Sequence, residues 1–169
     1  MTLHASTIDT PLGPFTAIAD DGALVAAGFC ADAGDMHQRL DPGRRTQPVE
    51  MTSDLGAVTD ALRRYFSGDV GALDDIEVEQ PGGTFRSAAW KAMRAIPPGE
   101  TISYAELATR AGSPSASQAA GSACSQNRVA LVVPCHRVVR TGGGLGGYYF
   151  GLDTKTWLLH HERGEQPLT

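Results

Sequence analysis

A polar, turn-rich stretch near the middle of the chain, "SGDVGALDDIEVEQPGGT" at residues 67–84, restricts the fold more than any other feature, because the residue patterning changes across it. Such a segment marks a domain boundary. Ahead of it, residues 3–30 set the turn signals "TPLGP" and "DDG" between the short stretches "FTAIA" and "ALVAAGF", which predicts antiparallel strands with tight connections. "ADAGDMHQRLDPGRRTQPVE" reads as a short helix and a loop, and "SDLGAVTDALRRYF" as a helix capped by Ser53, with Leu55, Val58, Leu62, Tyr65 and Phe66 at helical spacing. Beyond the boundary the chain turns helical. Thr84 is placed as the cap of a helix whose Phe85, Ala88, Ala89, Ala92, Met93 and Ile96 share a face, stopped by "PPGE". Two short helices follow in tandem, "SYAELATRAG" and then "SPSASQAAGSACSQN" with Ser113 as cap and Pro114 in its first turn, an arrangement that predicts a helix-turn-helix. The expected fold class is α+β, with a small antiparallel sheet-and-helix domain over residues 1–80 and a mainly helical domain over 81–169.

Charge follows the same division. Residues 1–83 hold five arginines against fourteen Asp and Glu, a net −9, whereas residues 84–169 carry +4, so the overall −5 conceals a basic C-terminal half. That half alone could face a polyanion, although +4 over this length is also ordinary surface variation. The three cysteines, Cys30, Cys124 and Cys135, are odd in number and widely spaced, with no secretory signal or long apolar span around them. This fits a cytoplasmic protein with free thiols and no membrane partner. His4, Cys30 and His37 make no recognisable ligand spacing, so no metal or other cofactor is expected.

The stretch "LVVPCHRVVR" at residues 131–140 carries the chemistry. Leu131, Val132 and Val133 read as a short buried strand, Pro134 cannot extend a sheet ladder, and Cys135 arrives where the backbone must turn. A thiol becomes a useful nucleophile only as thiolate, which His136 could promote. Consecutive strand residues point to opposite faces, however, so adjacency alone does not join them, and a turn at Pro134 or a bridging water is required. Glu162, in "KTWLLHHERGE", is the late acid available to orient an imidazole. From the residues alone, Cys135 is either that nucleophile or a small buried hydrophobe. The thin helix around Ala116, Ala119, Ala120 and Ala123 likewise faces either another helix or a nucleic-acid groove.

"PCHRVV", with "GETISYAEL" before it and "GYYFGLDTKTWLLHHE" after it, resembles the O6-alkylguanine-DNA alkyltransferases, also called methylated-DNA-protein-cysteine methyltransferases, of bacterial type. "IDTPLGPFTAI" resembles the opening of the same family's N-terminal domain. The resemblance implies a ribonuclease-H-like first domain and a winged helix-turn-helix second domain. It also implies a monomer acting on double-stranded DNA that contains alkylated guanine, with O4-alkylthymine left open. In such proteins a flipped base loses its alkyl group irreversibly to a cysteine. By position, Cys135 is the acceptor, His136 its base through a water held with help from Asn127, Glu162 the group orienting His136, and Tyr104 the proton donor to the leaving guanine. The same resemblance assigns base recognition to Val138 (with the Cys135 and Val138 carbonyls), Tyr148 and Tyr149. DNA contacts are assigned to Ser115, Gln118, Ala119, Arg128 and Arg137.

The chain departs from the family at the groove helix, reading Gln118-Ala119-Ala120-Gly121 where Arg-Ala-Val-Gly is usual. Glutamine brings no charge and a shorter reach. Two functions therefore stay open at this level: a suicide methyltransferase, and a lesion-binding or regulatory homologue with weak repair. The second class lacks the acceptor cysteine that this chain keeps.

Overall fold

The computed structural model describes residues 2–165, in two compact units. The first comprises the chain to Gln80 together with Arg128–Val132. Strands β1 (Leu3–Thr10), β2 (Gly13–Asp20) and β3 (Ala23–Gly28) form an antiparallel meander, as the turn signals predict. Asp21 and Gly22 both take positive φ, 50° and 87°, the backbone that a two-residue hairpin loop with right-handed twist demands. Helices α1 (Ala33–His37) and α2 (Pro42–Arg45) lead into β4 (Val49–Met51), which lies parallel to β1 and completes the order β3-β2-β1-β4. Leu3, Ala5, Ile18, Val25, Met36 and Leu40 form a core on this sheet.

Helix α3 (Ala57–Phe66) packs against β1, and Tyr65 and Phe66 join Phe15 and Phe29 in an edge-to-face aromatic cluster. Ser53 is not its cap. The cap is Gly56, and Asp54 Oδ1 braces it by accepting from Gly56 N at 2.6 Å and from the Thr59 hydroxyl. The free edge of β3 is covered rather than exposed: Leu24 N donates to Glu77 O, and Ala27 N donates to Arg128 O while Ala27 O accepts from Ala130 N. An uncovered strand edge invites association with other chains. That edge pairing is why residues 128–132 belong to the first unit. It also corrects the strand expected at Leu131–Val133: the run is a buried turn, with Leu131 at φ 75° and Val132 N donating to Ala130 O.

The second unit, Pro81–Asn127 with Val133 onward, is mainly helical. Helix α4 (Thr84–Arg94) follows Gly83 as cap, so Thr84 is its first residue rather than its cap. Ala89, Trp90 and Met93 form its buried face, and Trp90 Nε1 donates to Ala123 O at 2.9 Å. Strand β5 (Ile102–Ser103) pairs in parallel with β6 (Val138–Val139). Helix α5 (Tyr104–Arg110) begins with Ser103 accepting from Glu106 N, and α6 (Ser117–Ser125) completes the expected helix-turn-helix pair. Its start lies four residues later than Ser113, because Ala116 N closes a turn onto Ser113 O; Ser115 sits in that turn. Helix α7 (Leu152–Glu162) ends the described fold. Among the described residues no helix is long and apolar enough to cross a membrane.

Candidate active site

Pro134 passes the chain into one 3-10 turn, Cys135–Arg137, and all three side chains are buried. Val133 O accepts from Cys135 N at 2.9 Å and from Asn127 Nδ2 at 2.8 Å, so a buried amide braces the entry to the turn. The turn, not a strand, is what separates Cys135 from His136. His136 Nε2 lies 2.8 Å from Glu162 Oε2, both side chains fully buried. A carboxylate only accepts, so Nε2 carries the proton and Nδ1 is left as the basic nitrogen. Nδ1 is buried without a hydrogen-bond partner among the described residues.

Glu162 also receives Arg137, through Nε at 2.8 Å and Nη2 at 2.9 Å, while Arg137 Nη1 donates to Ile96 O at 2.7 Å. Burial pushes the Glu162 carboxyl up, but the His136 ring and the Arg137 guanidinium outweigh it and hold the group well below the usual carboxylate range. The expected DNA contact of Arg137 is thereby corrected. With 5 % exposure and its fork committed to Glu162 and Ile96, it is an internal counter-ion.

Cys135 forms part of the wall of a cavity of about 300 Å³, with Tyr104, Gly121, Cys124, Ser125, Gly147, Tyr148 and Tyr149. Gly121, Cys124 and Ser125 stand at i, i+3 and i+4 on α6, one helix face, and Tyr104 opens α5. Burial raises the phenol of Tyr104, which bonds to the Gly147 backbone, so it stays protonated and able to donate. Gly146, at φ 74°, passes so close that a Cβ there would lie 2.5 Å from Tyr104 Oη. Tyr148 is likewise raised by burial, and its ring meets His136 edge-on at 6.3 Å. Burial also pushes the Cys124 thiol up strongly, with further help from Cys135, which disfavours its thiolate.

Of the residues singled out from sequence, the structure gathers Tyr104, Cys135, Tyr148 and Tyr149 around the cavity and sets His136 and Glu162 together, with Asn127 behind the turn. Val138 is fully buried on β6, and its carbonyl accepts from Lys155 Nζ at 2.7 Å. Ser115, Gln118 and Ala119 are exposed on the turn and on α6. Arg128 belongs to the first unit, where its Nε donates to Arg39 O at 2.6 Å. Sequence reasoning missed Cys124, Ser125 and Gly121 as lining residues. Their i, i+3, i+4 spacing relative to one another was the available signal.

A cysteine in an apolar cavity, with a buried His-Glu pair beside it, is an arrangement able to support thiol chemistry on a ligand in that cavity. Comparison with known proteins gives the family. Residues 84–164 match "6-O-methylguanine DNA methyltransferase, DNA binding domain" and residues 3–80 match "6-O-methylguanine DNA methyltransferase, ribonuclease-like domain". The methylated-DNA-protein-cysteine methyltransferase of Salmonella typhimurium is 38% identical over 165 residues, covering 96% of each chain. That of Mycobacterium tuberculosis is 37% identical over 165 residues, covering 98% of this chain and 95% of the relative. The Mycobacterium tuberculosis OGT solved in complex with DNA superposes with a TM-score of 0.80 at 34% identity, over 97% of this chain and 95% of that one. The chain belongs to the 6-O-methylguanine DNA methyltransferase family.

Proposed function

We propose that the protein repairs DNA by taking the alkyl group from O6 of a guanine flipped out of the duplex onto Cys135 Sγ. The observation that carries this reading is that Cys135 walls an apolar cavity while its neighbour His136 is held by a buried carboxylate. In the reaction the thiol proton passes to His136, with Nδ1 the nitrogen available to receive it through a water. Glu162 offsets the charge that the ring then carries. The thiolate attacks the alkyl carbon, the S–C bond forms as the C–O6 bond breaks, and the guanine takes a proton from Tyr104. The thioether has no route back, so one molecule treats one lesion.

Ser115, Gln118 and Ala119 serve this reading as the DNA-facing surface, α6 being thin enough to approach a groove closely. Flipping costs a few kcal/mol, least at a mispaired base, which gives a first selectivity for lesions. Tyr148 and Tyr149 wall the cavity as base-recognition residues.

The test is intact-mass measurement after incubation with a duplex containing O6-methylguanine, followed by peptide mapping. One methylene increment on Cys135 is expected. Lesion binding without an increment would assign the protein to the recognition-only class, and an increment elsewhere would remove Cys135 from its role.

A further inference from the structure

The cavity has two thiols in its wall, Cys135 on the 3-10 turn and Cys124 on α6, and the proposed transfer uses only the first. The third cysteine, Cys30, lies in the other unit. Neither thiol of the pair is held in a disulfide; Cys124 is partly exposed, and Cys135 keeps 9 % exposure at the cavity. Gly121 and Ser125 are the other residues of that α6 face in the wall, so no large side chain of the helix stands beside the Cys124 thiol. Taken as a sphere, a cavity of about 300 Å³ is about 8 Å across, whereas a disulfide needs its Cβ atoms about 4 Å apart. The buried face of α6 is Ala120 and Ala123, small residues that leave little apolar area to resist a shift of that size.

Burial first, and then the negative charge of Cys135, keep the Cys124 thiol protonated. A thiol so placed does not compete for an alkyl group while Cys135 is a thiolate. Oxidation of Cys135 removes that restraint. The Cys135 thiolate attacks one oxygen of a hydroperoxide, the S–O bond forms as the O–O bond breaks, the sulfur is oxidised by two electrons, and the peroxide leaves as water or an alcohol after taking a proton. The sulfenic acid on Cys135 is neutral, so it no longer opposes ionisation of Cys124, the thiol in the same wall that can attack it. In that second step the S–S bond forms, the S–O bond breaks, and hydroxide leaves as water with the Cys124 proton.

We propose that Cys124 is a resolving cysteine: after a hydroperoxide oxidises Cys135, it closes a Cys124–Cys135 disulfide that reversibly masks the acceptor thiol and shuts the cavity. The proposal rests on Cys135 being the reactive thiol of the repair reading. Without a partner, a sulfenic acid that meets more peroxide passes on to the sulfinic acid, from which thiol reductants do not return it. A disulfide gives back both thiols on exchange with a reducing thiol. In a protein that acts once per molecule, the second thiol thus preserves an acceptor that has not yet been used.

The test treats the full chain, wild type and Cys124→Ala, with hydrogen peroxide, and reads intact mass, tryptic peptides and single-turnover transfer before and after dithiothreitol. Arg128 lies between the two cysteines, so trypsin separates them and a disulfide appears as a linked pair of peptides. Wild type should lose two hydrogens, yield the linked Cys124–Cys135 pair, lose transfer at least about tenfold and regain most of it on reduction. Cys124→Ala, scaled to its own untreated rate, should gain two oxygens on Cys135 and regain little. Cys30→Ala should follow wild type. A wild type that passes to the sulfinic acid as readily as Cys124→Ala, or a disulfide made through Cys30 or between two chains, would overturn the proposal. Should Cys124→Ala fail to fold, Cys124→Ser and the peptides of wild type decide, and absence of the linked pair refutes it. The masses and peptides need no DNA, so a protein that forms the disulfide but transfers no methyl group would fail the repair reading and keep the resolving role.

Discussion

Replacing Glu162 by glutamine separates what the buried carboxylate does for the fold from what it does for the chemistry. Glu162 accepts from His136 Nε2 at 2.8 Å and from Arg137 Nε and Nη2 at 2.8 and 2.9 Å. An amide offers one acceptor oxygen, and its NH2 would confront a donor. The Arg137 guanidinium would then stay buried with only the Ile96 carbonyl as a full partner, and breaking a buried pair from one side costs about 3–5 kcal/mol. In a chain of this size that lowers Tm by roughly 10 °C. Transfer should slow on the order of 10²-fold, because His136 loses the group that fixes its tautomer and offsets its charge. Adding Arg137→Met removes the stranded cation, so the double variant should regain most of the lost stability while transfer stays slow. Thermal unfolding and single-turnover rates on a methylated duplex measure the two effects separately. If rate recovered together with stability in the double variant, Glu162 would act on packing alone. The linkage has a definite sign: the folded carboxyl lies below its ordinary value near 4.5, so its stabilisation is present above that pH and drains away as pH falls below it. Wild-type protein should therefore lose stability more steeply than Glu162→Gln in that acidic range.

Cys135→Ser should abolish transfer and leave lesion binding nearly intact, measured by intact mass and duplex binding, since serine keeps the shape but is a far weaker nucleophile. Gly146→Ala would put a Cβ 2.5 Å from Tyr104 Oη at a positive-φ position, so it should displace the phenol and slow transfer at least about tenfold in a single-turnover assay while Tm falls by only a few degrees. Gln118→Arg should tighten duplex binding, steepen its salt dependence and speed duplex repair, but hardly change the slow reaction with free alkylated base; equal acceleration of both would show that residue 118 has no part in flipping.

The meander was legible because its signals are local: alternation within each strand, and an Asp-Gly pair where φ must be positive. Strand β4 was not, since three residues after Pro48 show no periodicity and their pairing with β1 is decided by residues more than forty positions away. The run at Leu131–Val133 misled for a related reason. Apolar residues are buried alike in a strand and in a turn that closes over a core, and only the pairing of Ala27 with Arg128 and Ala130 distinguishes the two. At the site, Cys135, His136 and Glu162 could be read from motif and resemblance. Lys155 could not, because a lysine in a helix reads as solvent-facing until carbonyls from β6 and the preceding loop converge on it.

The order of residues in "PCHR" has a geometric reason. In a strand, Cys135 and Arg137 would share one face and His136 would take the other, leaving the thiol beside a guanidinium and the imidazole remote. A 3-10 turn advances about 120° per residue, so three consecutive side chains leave in three directions. Cys135 enters the cavity wall, while His136 and Arg137 both bend back to Glu162 at the end of α7, one through Nε2 and the other through its fork. Pro134 stops the preceding chain from continuing as a ladder, and Asn127 secures the carbonyl of Val133 from which the turn departs. A single carboxylate thus orients the imidazole and neutralises the cation next to it, which lets the thiol, the imidazole and the guanidinium be neighbours in sequence while their side chains face different surroundings.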